Sequence, residues 1–545
     1  MLKHARNQGD EMKKVSIIQG AIIGGISSIP VLAMSYLGFV LTGVPFTAYA
    51  LFDGLVRVLP GPIVTFGIDS MIALLNLVNL DAASGSAKIA ERLGAIIMFI
   101  LGGSIFGVVL SNVARRKPKN IVLGGVLGGL LWTLILMLVL AYLGFDPVTP
   151  LAALFWIGSL MIAWGLLLGW VIKSLPAILA NAEDAPISRR GFLYIFGGGT
   201  AAVTLGAVGI VNLLDSDSTA PTEQVSAAFD LTDTTGTAAS PSQETLNARI
   251  EPTPGTRAEI TPPGKFYSVD INSLPPSINE ETWSLPLVGL VERPITISLA
   301  DLRARPAVSQ VITLSCISNS VGGSLIGTAL WKGVRLRDLL EEAGLMAEAR
   351  SLFIESADGF FESVSLKDAL DERTLLVYDM NDAPLERKHG YPLRIYVPGR
   401  FGMKQPKWIE SIEAINHDGP GYWVERGWSA DAFVRMTSVI DDVSTKDFDG
   451  TTGVVPIGGI AYSGAKTISK VEVKIDDEPW VVAQLRIPPL SPLTWVQWRY
   501  DWQGVPGPHT VRVRAFDGIG QPQDPQQGRS RPDGATGIHT HDFRL

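Results

Sequence analysis

The stretch TLSCISNSVGGSLIGTALWKG, residues 313–333, decides how the second half of this chain is read. A strand-like run, VITLS, ends at Cys316, the one cysteine in 545 residues, and a loop of Ser, Asn and Gly follows before a second apolar run begins. A lone cysteine is commonly a small buried hydrophobe. At a strand end beside glycines it also suits a soft sulfur ligand facing a transition metal, with backbone N–H groups free to approach an anion. Both readings stand on these residues alone. Downstream, HGYPLRIYVPGRFGMKQPKWIESIEAI (residues 389–415) gathers His389, Arg394, Arg400, Lys404 and Lys407 among glycines and strand residues. Cations at loop ends with exposed backbone suit a phosphate-bearing cofactor, or else form a solvated basic strand face.

Composition divides the chain. The first 214 residues carry several apolar stretches, and the remainder has dispersed charge with many Pro and Gly. The net charge of −8 and the lack of any basic block larger than a few residues argue against a nucleic-acid binder. One cysteine makes no intrachain disulfide, so cysteine usage says nothing of the redox compartment. Five stretches, 15–41, 89–113, 121–143, 151–172 and 192–214, predict helices of roughly 20 residues that cross a bilayer. Between the first two, PGPIVTFGIDSMIALLNLVNL (60–80) is interrupted by Pro60, Gly61 and Pro62 and carries Asp69. Lys3, Arg6, Lys13 and Lys14, then Arg115, Arg116, Lys117 and Lys119, then Lys173, Arg189 and Arg190 form three basic clusters. All three fall on the cytoplasmic face only if residues 60–80 do not cross, which makes that segment re-entrant and places everything after residue 214 outside the cytoplasm. Asp69 is a capping or packing residue or a functional one.

SRRGFLYIFGGG, residues 188–199, resembles the twin-arginine export signal, through which folded, cofactor-loaded proteins pass. It lacks a small-residue cleavage site and is expected to remain as an anchor. The membrane part has no histidine after His4, so no haem is expected between its helices. Residues 215–262, rich in Ser, Thr, Pro, Ala and Asp, predict a disordered linker. WSLPLVGLVE and VSQVITLS then read as strands and VRLRDLLEEAGL as a helix stopped by Gly344. From 441 the short strands KVEVKID, TWVQWRYDW and HTVRVRAFD predict an all-β sandwich.

These motifs, taken in order, resemble the sulfite oxidase superfamily of molybdenum enzymes. Cys316, Asn319, Gly322 and Gly323, then GTALWKGVRLRDLL, HGYPLR, VPG and GMKQPKWI carry the resemblance, which runs from about Pro262 to the C-terminus. It implies an α+β molybdopterin domain at 263–440 and an immunoglobulin-like dimerisation domain at 441–545, behind an all-α membrane domain at 1–214. It further implies that Cys316 is the thiolate ligand of molybdenum and that His389, Arg394, Lys404 and Lys407 hold the pterin and its phosphate. Phe266 and Tyr267 would line the cofactor, Asn319 would belong to the cysteine loop, and Thr328 and Ala329 would offer backbone contacts.

The match departs from true sulfite oxidases at the substrate. No arginine follows Asn319, and Phe360 aligns with their pocket tyrosine. An apolar ring donates no hydrogen bond to an oxyanion, which favours a neutral sulfoxide or N-oxide over sulfite, unless Phe360 and Phe361 are core. His417, Tyr422 and Trp423 border the pocket or pack a domain end, and His539 and His541 receive no role. The chain is therefore expected to be a multi-pass inner-membrane oxidoreductase transferring oxygen atoms on the periplasmic or extracellular side. Its partners would be lipid, a small-molecule substrate, a separate quinone or cytochrome and a second copy of itself, with no nucleic acid. The alternatives are a tethered non-catalytic binding protein with a degenerate molybdopterin fold, and a transporter or sensor governed by the outer domain.

Overall fold

The computed structural model describes residues 15–64, 66, 67, 70, 71, 85–116, 120–143, 150–180, 188–216, 249–446, 448–451 and 453–545. Its contacts divide the chain into two compact units. The first comprises Met1–Pro60, Lys88–Ala227 and Asn272–Leu274, and the second Gly61–Ala87, Ala228–Ile271 and Pro275–Leu545.

The first unit is helical: α1 (Ile17–Thr42), α2 (Thr47–Val58), α3 (Gly85–Arg116), α4 (Ile121–Tyr142), α5 (Pro150–Ala180) and α6 (Gly199–Ser216). Helix α1 starts at a capping box, Ser16 with Gln19, and stops where Gly43 takes φ 71°. Four of the described helices are long and apolar enough to cross a membrane: Ile17–Thr42, Ile89–Arg116, Ile121–Tyr142 and Leu151–Ile178. Glycines spaced by four bring them together. Gly20 and Gly24 of α1 meet Gly103 and Gly107 of α3 backbone to backbone, and Gly125 and Gly129 of α4 meet Gly165 and Gly169 of α5 and the main chain at Met161. A methyl group on Gly103 would stand 2.8 Å from the Gly24 carbonyl oxygen, so the approach requires residues without side chains. Buried polar pairs add to this, as where Trp164 Nε1 donates to Ser27 Oγ at 2.9 Å.

The stretch 192–214, expected as one helix, is divided. A short turn, Arg189–Phe192, runs into a π-helical segment, Leu193–Gly198, before α6 begins at the third of three consecutive glycines. Glycine is a poor helix former, and a π-turn is the break that such a run permits. The re-entrant segment expected at 60–80 lies largely outside the described residues, as does Asp69.

The second unit is built on sheets. Ten strands, β1 (Ser284–Gly289), β2 (Ile295–Ser298), β3 (Val308–Ser315), β4 (Ile326–Arg335), β5 (Ser351–Ser356), β6 (Phe361–Ser365), β7 (Leu375–Met380), β8 (Ala383–Pro384), β9 (Arg394–Tyr396) and β10 (Ile409–Ile415), form two sheets. One is ordered β2-β1-β10-β5-β6 and the other β3-β4-β7-β8, with β9 beside β7. The helix Leu336–Ala343 buries Leu336, Leu339, Leu340 and Ala343, the apolar face its spacing predicts. Eight further strands follow: β11 (Thr437–Val443), β12 (Gly453–Tyr462), β13 (Ile468–Ile475), β14 (Val481–Val482), β15 (Gln484–Leu485), β16 (Val496–Gly504), β17 (Pro508–Asp517) and β18 (His539–Arg544). They make two four-stranded sheets, β11-β12-β16-β15 and β14-β13-β17-β18, which share a core around Val455, Ile457, Val471, Trp498 and Val513.

The expected linker ends earlier than composition suggests. Residues 217–248 lie outside the described residues, but 249–262 are packed: Arg249 is buried and pairs with Glu259, which also accepts from Arg486 Nε at 3.1 Å. Charge pairing and the burial of Thr253 against Gly458 order a segment that hydrophobicity alone marks as tether.

Candidate active site

Strands β3 and β4 pair antiparallel, Thr313 opposite Thr328 and Ile312 opposite Ala329, and the loop between them carries Cys316. Cys316 N donates to Leu325 O at 2.9 Å and closes the loop at its base. Asn319 braces it twice: its N–H donates to Cys316 O at 3.1 Å, and its Oδ1 accepts from Leu325 N at 2.9 Å. The Cys316 thiol is buried, 3.1 Å from Ser318 Oγ. Burial pushes its pKa up, and the hydrogen bonds of Ser318 and Ile317 counter this only in part.

Beside the loop stands an aromatic wall. Phe266 and Tyr267 stack at 5.5 Å, and Phe266 lies nearly perpendicular to Trp331 at 5.6 Å and to His389 at 5.5 Å. Tyr267 is raised well above the ordinary phenol range by burial and then by the proximity of Cys316. His389 is 1% exposed, and its Nε2 is buried without a hydrogen-bond partner. Burial first, and then Arg394 and Lys388, bring its pKa down to about 4. Arg394, on β9, is 7% exposed. It donates from Nη1 to His389 O at 3.1 Å and lies 5.0 Å over the Trp331 ring. No carboxylate answers it among the described residues, and burial brings its pKa down to about 10.

The two lysines are held differently. Lys404 Nζ donates to Glu362 Oε1 at 2.7 Å and to Ser363 O at 3.3 Å. Glu362 is fully buried, with its pKa raised by burial against the lowering pull of Lys404, and its Oε2 has no partner. Lys407 pairs with Asp270, donates to Lys388 O at 3.1 Å and lies 4.3 Å over Trp408. Thr328 differs from expectation. Its N–H donates to Thr261 Oγ1 at 3.0 Å and its C=O accepts from Thr261 N at 2.7 Å, so both backbone groups are used inside the protein. Ala329 is fully buried in β4.

Phe360 sits in the turn between β5 and β6, its N–H accepted by Asp358 Oδ1 at 3.0 Å and its ring 5.7 Å from Tyr422. Tyr422 touches Trp423 at 5.2 Å, and Trp423 packs with Ile317, Phe401 and Met403. His417 is exposed. Several residues here have no motif. Arg426 lies 3.6 Å over the Tyr422 ring, and Arg531 Nη2 donates to Arg426 O at 2.7 Å, which brings two guanidinium groups to the Phe360 end. Glu362 had a signal: in β6 residues alternate, and Glu362 falls on the buried face with Val364. Among the described residues no cluster of three His, Cys, Asp or Glu side chains forms a metal site.

Comparison with known proteins places this geometry. A family model described as the oxidoreductase molybdopterin binding domain matches residues 272–423. Mitochondrial sulfite oxidase of Rattus norvegicus is 31% identical over 306 residues, 48% of this chain and 56% of that protein. The uncharacterized oxidoreductase YuiH of Bacillus subtilis (strain 168) is 33% identical over 146 residues, 27% of this chain and 72% of that protein. Sulfane dehydrogenase SoxCD from Paracoccus pantotrophus is a structural neighbour with TM-score 0.47 and 23% identity, over 55% of this chain and 83% of that one. The chain spans about half the length, 56%, of the curated sulfite oxidase it matches.

The chain belongs to the sulfite oxidase superfamily, and its cofactor is molybdenum carried by molybdopterin. The residues present fit that group. A buried guanidinium without an acid and a buried imidazole nitrogen without a partner among the described residues, with a stacked aromatic pair and a buried thiol, suit a flat, anionic, hydrogen-bonding molecule with a soft metal.

Proposed function

We propose that the chain is a membrane-anchored molybdenum oxidoreductase of sulfite oxidase type, with its sheet-built unit outside the cytoplasm. Four long apolar helices support the anchor, and the three basic clusters support the orientation. The twin-arginine-like SRRGFL supports export with the cofactor in place. The two C-terminal sheets with a shared core support an immunoglobulin-like dimerisation module.

When bound, the cofactor supplies two-electron oxygen-atom exchange. Cys316 would ligate the metal, Arg394 would neutralise the anionic side of the pterin, and neutral His389, its other ring nitrogen turned to the Pro263 carbonyl, would accept one hydrogen bond at Nε2. Lys404 and Lys407 would add charge from positions that Glu362 and Asp270 fix. Phe360 and Tyr422 would give the substrate an aromatic floor suited to a neutral sulfoxide or N-oxide. Such a substrate gives up its oxygen, which leaves as water on uptake of two electrons and two protons. A quinone or cytochrome would supply the electrons.

The single observation that carries this reading is the acid-free Arg394 beside the wall that Cys316 shares. A second substrate class, an oxyanion, is favoured by Arg426 stacked on Tyr422 with Arg531 at its backbone. Assays of the loaded protein with a reduced dye and a dialkyl sulfoxide, and with an oxidised dye and sulfite, decide between them. Turnover of the sulfoxide alone is expected; turnover of sulfite alone reverses the substrate assignment.

A further inference from the structure

We propose that His539 is a positioning residue for Cys316: from the last strand of the C-terminal sheets it closes over Gly322 and holds the cysteine loop in shape. The inference rests on Cys316 being the thiolate ligand and extends that reading to a residue far away in sequence.

The cysteine segment is held at both ends by the C-terminal sheets. At the near end, β3 is the edge strand of its sheet, and its outer backbone groups need partners. Thr313, three residues before Cys316, finds all of them there. Thr313 N donates to Leu493 O at 3.0 Å, Trp495 N donates to Thr313 Oγ1 at 2.9 Å, and Tyr462 Oη donates to Thr313 O at 2.7 Å. At the far end, Gly322 adopts φ 79°, and a methyl group there would stand 2.6 Å from Cδ2 and 3.0 Å from Cε1 of His539. The imidazole therefore presses on bare backbone, which only glycine allows.

The ring is fixed in place. Ile440 N donates to His539 Nδ1 at 2.9 Å, next to the point where the register of β11 on β12 shifts. An accepting Nδ1 leaves the proton on Nε2, the ring edge nearest Gly322. Partial burial, with His541 and Arg257 nearby, keeps the ring neutral. Inside the loop, Gly323 N donates to Ser320 O at 2.9 Å across the Gly322 turn, Asn319 N donates to Cys316 O, Cys316 N donates to Leu325 O, and Ser318 Oγ rests on the thiol, so a short run of bonds separates the turn from Sγ. Release of the turn would loosen the sulfur.

The test uses the full-length chain in detergent, from cells unable to make molybdopterin. Cys316 is the only cysteine, so iodoacetamide labelling reads that one thiol. H539A is expected to label about fivefold faster than native as the loop opens more often, while H539N, whose amide oxygen can accept from Ile440 N–H, stays within about twofold of native. Equal rates for native and H539A overturn the assignment, as does H539N labelling as fast as H539A. If H539A does not accumulate folded, H539L, which cannot accept from Ile440 N–H, is read instead: faster labelling supports the proposal and a native rate overturns it. Molybdenum content of the loaded native chain tests the ligand reading separately.

Discussion

Helix α1 meets α3 where side chains are missing, at Gly20, Gly24, Gly103 and Gly107, whereas the sheets around Cys316 close on large or charged groups: Trp331, Trp408, Glu362 and Arg394. Among apolar helices there is little hydrophobic gain to separate good packing from bad, so close backbone approach decides. Around the cysteine loop, buried polar groups decide, and each must have a partner or await one. The helices thus tolerate polar change poorly and bulk worse; the sheets tolerate neither the loss of an acid nor the loss of its cation.

The sharpest way to break this contrast is at Glu362. E362A leaves Lys404 without its acid in a buried setting, and about 3–5 kcal/mol of stability should be lost, read as a large fall in the melting temperature of the cofactor-free chain. R394M is the counterpart. Arg394 has no acid to orphan among the described residues, so the cofactor-free chain should melt no lower than native, while retention of molybdenum falls steeply. A melting temperature lowered as far as in E362A would mean that Arg394 holds the fold and not the cofactor.

Acid should expose the same buried polar groups. Burial lowers His389 from 6.5 to about 4, so the folded chain holds it neutral and the unfolded chain is protonated first. Its contribution, on the order of 3 kcal/mol, is complete above the unfolded value of about 6.5 and is lost as pH falls from there through about 4. His539, lowered to about 4, acts in the same window. Melting temperature against pH should fall across it, and H389Q should flatten part of the fall. Smallest is the helical test. G103L forces α1 off α3 and should cost about 1–3 kcal/mol, seen as reduced yield of folded protein from membranes, with G103A milder.

What the sequence made legible follows from how local each signal is. VSQVITLS maps onto β3, and VRLRDLLEEAGL contains the helix Leu336–Ala343, because period and stop signals lie within the segment. Cys316, Phe266, Tyr267 and Arg394 stand out by motif, and Tyr267 lies within electrostatic reach of the thiol. Thr313 and His539 did not, since their contacts join segments more than a hundred residues apart and leave no periodicity. Nothing in the sequence near Thr328 announces that Thr261 bonds to its backbone. Residues 249–262 read as tether because ion pairs, unlike apolar runs, have no sequence period.

The central claim is the bond between the Cys316 sulfur and molybdenum, and X-ray absorption at the molybdenum edge tests it most directly. Loaded native protein should show one more sulfur neighbour at the metal than C316S loaded in the same host. The same sulfur count in both proteins would contradict the account.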